Sequence, residues 1–174
     1  MALVVTPGAS NADSYADIAA LDAYHVARGN AAWGAATNGN KETAARRATG
    51  WLDAAYDGRW EGYRINGRSQ PLAWPRLGAC DAEGYSIDST TIPAEVVAAT
   101  CEAALRELAS PGSLSPDVVT GTIAKRKKVG PLEVEYANPS GATAMTPTLT
   151  IVDGILARLL TNTGGGASVD LVRV

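Results

Sequence analysis

The chain has 174 residues, enough for one domain with a sizeable apolar core. Hydrophobic residues make up 46% of it and phenylalanine is absent, so the core must combine small alanines with four tryptophans and six tyrosines. A formal net charge of -3 argues against a surface that seeks nucleic acid over its whole area, because phosphate binding needs clustered lysine and arginine. Any DNA contact is therefore expected to be local.

The N-terminal segment MALVVTPGAS has a short apolar run without a basic region, which argues against a signal peptide. No later segment approaches the length of a membrane span. We therefore expect no membrane contact and a cytosol-like compartment, in which Cys80 and Cys101 stay reduced. Neither cysteine has the CxxC spacing of a metal site.

Two helices are predicted in the first third of the chain. The first has Asp13 or Ser14 as its N-cap and ends at Gly29. After a loop, the second runs from Lys41 to Gly58. Their apolar positions recur on one helix face: Ile18, Leu21 and Tyr24 in the first helix, and Ala44, Ala48, Trp51, Leu52 and Ala55 in the second.

From Arg59 to Thr91 the helical periodicity disappears, and glycine, proline, serine and aspartate become frequent. A loop of this length is usually functional or disordered, and its many apolar residues favour order. The residues expected to anchor it are Trp60, Tyr63, Leu72, Trp74, Tyr85 and Ile87.

The stretch QPLAWPR within this loop is predicted to brace it against the helices. Pro71 and Pro75 bias the residues before them towards extended backbone, so Leu72 and Trp74 should project to the same side. We expect Trp74 to cover the second or third helix, and a subunit interface is the alternative. The predicted brace is Leu72, Trp74, Pro75 and Arg76.

A third helix begins at Pro93, a residue suited to a first helical turn, and a fourth lies within residues 146–160, weakened by Gly154. The apolar stripe of the third helix is Val97, Cys101, Ala104, Leu105 and Leu108. That of the fourth is Leu149, Val152, Leu156 and Leu159.

A β-hairpin is predicted at about residues 122–136, turning at Gly130. It carries the one concentrated run of positive charge, which could contact a protein partner or DNA. That run is Lys125, Arg126, Lys127 and Lys128. The register predicts that Lys128 faces Glu133 and that Arg126 faces Glu135. Charge pairing would then leave Lys125 and Lys127 for a partner.

The C-terminal segment 164–174 begins with three glycines, which form a flexible tether, and ends in alternating apolar residues. We predict a docking tail of Val169, Asp170, Leu171, Val172, Arg173 and Val174. Residues 1–163 should form one helical domain. The predicted fold class is mainly α: a small bundle of about four helices with a long ordered loop, a β-hairpin and an extended tail.

No combination of residues points to catalysis. His25 is the only histidine, lies in a predicted helix and has no nucleophile motif nearby, so we expect it to pack or bond locally. The stretch DAEGYSID lacks the spacing of a calcium loop, and the glycine runs lack the lysine of a phosphate loop. We predict a protein that is not an enzyme and that has no cofactor and no metal.

Four segments together resemble one family of phage proteins, labelled DnaT-like single-stranded-DNA-binding. They are SYADIAALDAYHVARGNAAW, KETAARRATGWLDAAY, QPLAWPRLGACDAEGYSIDSTTIPAEV and KRKKVGPLEVEY. Proteins of this type look like head–tail connector adaptors, small helical subunits that form a dodecameric ring beneath the portal.

The resemblance implies a structural subunit of the virion, assembled in the host cytoplasm. Its implied partners are further copies of itself, the portal protein, the next connector or tail-terminator protein, and the genomic DNA that passes through the channel. Residues 169–174 would dock on the portal, and the hairpin would face the next ring or the channel. The alternative function is single-stranded-DNA binding, as the family label states.

Overall fold

The computed structural model describes residues 2–115, 126–129, 132–135 and 149–160, the two middle ranges as backbone. Within these ranges the helices are α1 (Ile18–Ala27), α2 (Ala31–Gly34), α3 (Asn38–Ala55), α4 (Ala94–Ala109) and α5 (Thr150–Leu156). The strands are β1 (Tyr63–Arg64), β2 (Arg76–Leu77), β3 (Arg126–Val129) and β4 (Leu132–Glu135). A single 3-10 turn, Gly67–Ser69, lies between β1 and β2. The predicted mainly helical fold is confirmed.

Helix α1 begins later than the sequence predicted. Its N-cap is Asp17, whose carboxylate accepts a backbone hydrogen bond in the first turn at 2.8 Å. The prediction of Asp13 or Ser14 was wrong, because Asp13 is engaged by Arg46 of α3 at 2.6 Å, and the Ser14 hydroxyl bonds to a nearby backbone carbonyl. A tertiary contact thus removes Asp13 from capping, and a local one removes Ser14.

Helix α3 begins at Asn38, capped by Thr37, three residues before the predicted start at Lys41. The preceding segment, predicted as a loop, contains the short helix α2. Four of the five predicted apolar positions of α3 are buried, whereas Ala55 is exposed, because it lies in the last turn of the helix. The apolar stripe therefore ends one turn before the helix does.

The most extensive contact between helices is that of α3 with α4, and α5 also packs on α4. Small side chains line this contact, which lets the two helix backbones approach closely. The fully buried alanines are Ala45, Ala48, Ala99, Ala103 and Ala104. In α4 the predicted stripe is correct at Cys101 and Ala104, while Val97, Leu105 and Leu108 are half-buried.

Helix α5 and the residues after it tie the C-terminal part of the domain to the long loop. Leu149, Val152, Leu156 and Leu159 are all buried, as predicted. Leu160 forms an isolated antiparallel bridge with Trp60, and the Ala82 N–H donates to the carbonyl of Arg158 at 2.8 Å. The loop is thus hydrogen-bonded to a distant part of the chain.

Strands β3 and β4 form the predicted hairpin with the predicted register. Lys128 is paired with Glu133, and Arg126 with Glu135. Lys125 and the tail at 164–174 lie outside the described residues. Among the helices that are described, none has the length and apolar character needed to cross a membrane.

Candidate functional site

The long loop carries a small antiparallel β-ribbon, formed by β1 and β2. Tyr63 is paired with Leu77, and Arg64 with Arg76. Because successive side chains of a strand leave opposite faces, Tyr63 and Leu77 share one face and the two arginines share the other. We call these the outer and inner faces of the ribbon, and Ile65 continues the outer face by the same alternation.

The outer face is an exposed apolar surface. Tyr63 is 79% exposed, Leu77 58% and Ile65 40%. The prediction that Tyr63 and Tyr85 anchor the loop was wrong, since Tyr85 is also 69% exposed. Tryptophans already fill the space beneath the loop, which leaves these two tyrosines at the surface.

The inner face is a polar clamp built around Arg76. Its guanidinium donates to the carbonyls of Gly62 at 2.6 Å and Ala73 at 3.2 Å, and also to those of Trp60 and Glu61. Burial, reinforced by the charge of Arg64, lowers the pKa of Arg76 from its ordinary value. An arginine nevertheless stays charged at any ordinary pH, so one side chain satisfies several loop carbonyls at once.

A row of aromatic rings supports the ribbon from below. Trp74 is 1% exposed and meets Trp60 edge-on, with ring centroids 5.8 Å apart at 84°. Trp60 in turn contacts Tyr56, which meets Trp51 of α3 edge-on. Trp33, the remaining one of the four tryptophans, is buried beside α1. No tryptophan is therefore available as a surface platform.

The backbone around Trp74 is held by a buried pair on α3 and the N-terminal segment. Asp53 accepts hydrogen bonds from the Tyr15 hydroxyl and from the N–H of Ala73, the latter at 2.9 Å. The Tyr15 oxygen also accepts from the N–H of Trp74 at 3.2 Å. Burial raises the pKa of both Asp53 and Tyr15.

Gln70 provides the second internal clamp of the loop. It is 1% exposed, and its amide nitrogen donates to the carbonyls of Leu72 at 2.8 Å and Pro75 at 3.0 Å. Gly62 makes the close approach of the two strands possible, because a Cβ there would lie 2.3 Å from the Leu77 carbonyl oxygen. The sequence assigned no role to the side chain of Gln70 or to Gly62; their signals were the position of Gln70 in QPLAWPR and the turn-rich composition of the loop.

Positive charge is concentrated on the same part of the loop. Residues 59–78 contain four arginines and one glutamate in a chain of net charge -3. Arg64 and Arg68 are both exposed. The Arg64 guanidinium makes one long hydrogen bond, 3.5 Å, to the carbonyl of Gln70. The ribbon thus combines an exposed aromatic ring with exposed guanidinium groups.

The predicted site residues fall in three separate places. The predicted brace leads into the ribbon: Arg76 lies in β2, Trp74 and Pro75 are buried, and Leu72 is half-buried against the core. The described part of the basic run lies in β3, where Arg126 and Lys128 are opposite glutamates and Lys127 is opposite Val134. Residues 169–174 lie outside the described part of the chain.

No catalytic arrangement is seen among the described residues. His25 is fully buried, its Nδ1 lies 3.0 Å from the Asn30 amide nitrogen, and its ring packs on Trp33 at a tilt of 36°. Burial lowers the pKa of His25, which favours the neutral ring. Cys80 and Cys101 are free, and no cluster of possible metal ligands occurs in the described ranges.

A cleft with a volume of about 390 Å³ lies along α3 and the end of α4. Glu107 lines it, is 3% exposed, and pairs with Arg47 at 2.9 Å while accepting from the Gly112 N–H at 2.7 Å. The Glu107 carboxylate is thus engaged by groups of the chain itself.

Comparison with known proteins defines the class. A family model described as "Putative DnaT-like ssDNA binding protein" matches residues 1–174, the whole chain. The chain belongs to this family. No curated protein and no solved structure matches it. The family resemblance seen in the sequence is confirmed, and the family description favours DNA as a partner.

Proposed function

We propose that this protein binds single-stranded DNA. The observation that carries the proposal is the family match over the whole chain, whose description names this activity. The alternative that the sequence left open is thereby favoured over the connector function.

The chain offers an exposed tyrosine in an arginine-rich loop, the combination that strand-binding proteins use for bases and phosphates. The acidic charge of the remaining chain restricts such binding to a local surface. We therefore expect modest affinity and a small number of phosphate contacts.

The test is a titration of a fluorescently labelled oligonucleotide, followed by anisotropy at several salt concentrations. Binding should weaken as salt rises, because phosphate contacts release counterions. An excess of unlabelled single strand should compete, and a duplex of the same sequence should compete poorly. Absence of binding at low salt would contradict the proposal.

A second candidate function is favoured by the burial of all four tryptophans and by the apolar outer face of the ribbon. In this second proposal the protein is a structural subunit of a phage head–tail connector. The protein would form a dodecameric ring that joins the portal to the next connector or tail-terminator protein and lines the DNA exit channel. Such a subunit needs protein-binding surfaces and no stacking platform.

This second candidate is tested by mixing the protein with its cognate portal protein and measuring the mass of the products. The full chain should form a ring-sized complex. Deletion of residues 164–174 should abolish the complex without changing the melting temperature of the subunit. If the mixture contains only free components, the connector function is wrong.

A further inference from the structure

We infer that the outer face of the ribbon, formed by Tyr63, Ile65 and Leu77, is the surface on which bases of a single strand stack. Arg64 and Arg68 would receive the phosphates at its margin. This inference rests on the proposed single-stranded-DNA binding and identifies the part of the molecule that performs it.

The geometry of the ribbon suits a stacking platform. Tyr63 and Leu77 lie opposite each other on paired strands, so their side chains stand side by side on one face. Both are more than half exposed, at 79% and 58%. A ring and a neighbouring aliphatic group together provide a flat apolar area that can accept the face of a base.

The support beneath this face is densely hydrogen-bonded and packed. Arg76 donates hydrogen bonds to four loop carbonyls, and Gln70 donates to two more. Trp74 fills the core below with 1% exposure. A surface ordered in advance loses little conformational entropy when a ligand binds, so stacking on Tyr63 would retain more of its free energy.

Two exposed arginines lie close to the platform in the chain. Arg64 follows Tyr63 in β1, so its side chain leaves the opposite face, where its exposed guanidinium donates to the Gln70 carbonyl at 3.5 Å. Arg68 lies in the 3-10 turn that follows and is exposed. A strand crossing the edge of the ribbon can therefore place bases on Tyr63 and phosphates near these guanidinium groups.

The chemistry of the face also selects the form of the nucleic acid. In a duplex the base faces are stacked on one another, so only unpaired bases can reach Tyr63. Of the three residues, only Tyr63 carries a polar side-chain group. We therefore expect recognition of unpaired bases with little dependence on their sequence, since stacking accepts every base.

The experiment compares Tyr63→Ala with Tyr63→Phe and Tyr85→Ala in the full chain, by anisotropy with a labelled mixed-sequence oligonucleotide. Tyr63→Ala should weaken binding by about tenfold to a hundredfold, the loss expected for one stacked base. Tyr63→Phe should keep the affinity, because the ring remains. Tyr85→Ala is the matched control: it removes a tyrosine that is 69% exposed but lies outside the arginine-rich segment, and it should bind like the original protein.

Salt dependence separates the two parts of the surface. Tyr63→Ala should leave the slope of log affinity against log salt unchanged, because it removes no charge. Arg68→Gln should weaken binding to oligonucleotides of every sequence and reduce the magnitude of that slope by about 1. Agreement of both slopes with these values supports the division of the ribbon into a stacking face and a phosphate margin.

Two different failures can be told apart. If the original protein binds single strands and Tyr63→Ala binds equally well, the ribbon assignment is wrong and the proposed function stands. If the original protein binds no single strand, both are wrong. If Tyr63→Ala keeps DNA affinity but loses self-association in sedimentation, the outer face is a protein interface, which also overturns the inference.

Discussion

The α3–α4 core and the loop from Arg59 to Thr91 are both ordered, but different forces hold them. The helices satisfy their own backbone groups, so close packing of alanines is sufficient to join them. The loop has little regular structure to satisfy its carbonyls and N–H groups. Side chains do so instead, principally Arg76 and Gln70 within the loop and the Tyr15–Asp53 pair outside it.

The loop itself has two sides with opposite roles. Trp60 and Trp74 point into the core and are 7% and 1% exposed, whereas Tyr63 and Leu77 point outwards. Although these four residues are close together in the sequence, the two tryptophans stabilise the fold, whereas Tyr63 and Leu77 are accessible to a partner. The difference lies in the direction of each side chain: the tryptophans flank the ribbon and are buried, while Tyr63 and Leu77 are paired within it and exposed.

The largest expected effect comes from removing the ring that joins the loop to the core. Trp74→Ala should lower the free energy of unfolding by about 3–5 kcal/mol, through lost burial and the cavity left behind. Tyr63→Ala, on the outer face of the same loop, should change it by no more than about 0.5 kcal/mol. Urea unfolding of both variants measures the contrast.

Equal stability losses for Trp74→Ala and Tyr63→Ala would show that the two sides of the loop are not separate in their roles. Loss of assembly by Trp74→Ala with an unchanged melting temperature would assign that ring to a subunit interface instead.

A smaller effect is expected where polar groups join the loop to the core. Tyr15→Phe removes the hydroxyl that donates to Asp53 and accepts from the N–H of Trp74. Leaving such buried groups unpaired should lower the free energy of unfolding by about 1–3 kcal/mol. Tyr63→Phe removes an exposed hydroxyl and serves as the control. A Tyr15→Phe variant as stable as the original protein would mean that this bond contributes little.

The same variant should change the dependence of stability on alkaline pH. Burial raises the pKa of Tyr15, Tyr24 and Tyr56 in the folded protein, with further contributions from the carboxylates that they contact. In the unfolded chain a tyrosine ionises at about pH 10. Each tyrosine's contribution to the free energy of unfolding is thus fully present below that pH and decreases as the pH rises towards the pKa in the folded protein.

Urea titrations across the alkaline range should show this decline, and Tyr15→Phe should decline less steeply because it lacks one of the three groups. Parallel curves for Tyr15→Phe and the original protein would contradict the role assigned to Tyr15.

Much of the regular structure follows from the sequence. The apolar spacing of Ala44, Ala48, Trp51 and Leu52 identified the buried side of α3, and the hairpin register followed from where its turn falls. These features depend on residues close together in the chain. The start of α1 was missed because Arg46, more than thirty residues away, binds the predicted cap Asp13.

The candidate site was only partly visible. The concentration of proline and tryptophan in QPLAWPR predicted a brace, and Trp74 is buried there. The sequence could not separate Tyr63 and Tyr85 from the buried aromatic residues, since composition does not show which way a ring points in a loop. Nor did it show that Gln70 and Asp53 would hold the loop backbone, because both act on groups whose position depends on the fold.

By itself the sequence determined the helical class, the hairpin register and the family, because these depend on local periodicity and on contiguous motifs. The tertiary structure alone decided which aromatic rings are buried and which are exposed. The buried space beneath the loop is limited, and Trp60 and Trp74 occupy it. Tyr63 is consequently left at the surface beside Arg64, where a partner can reach it.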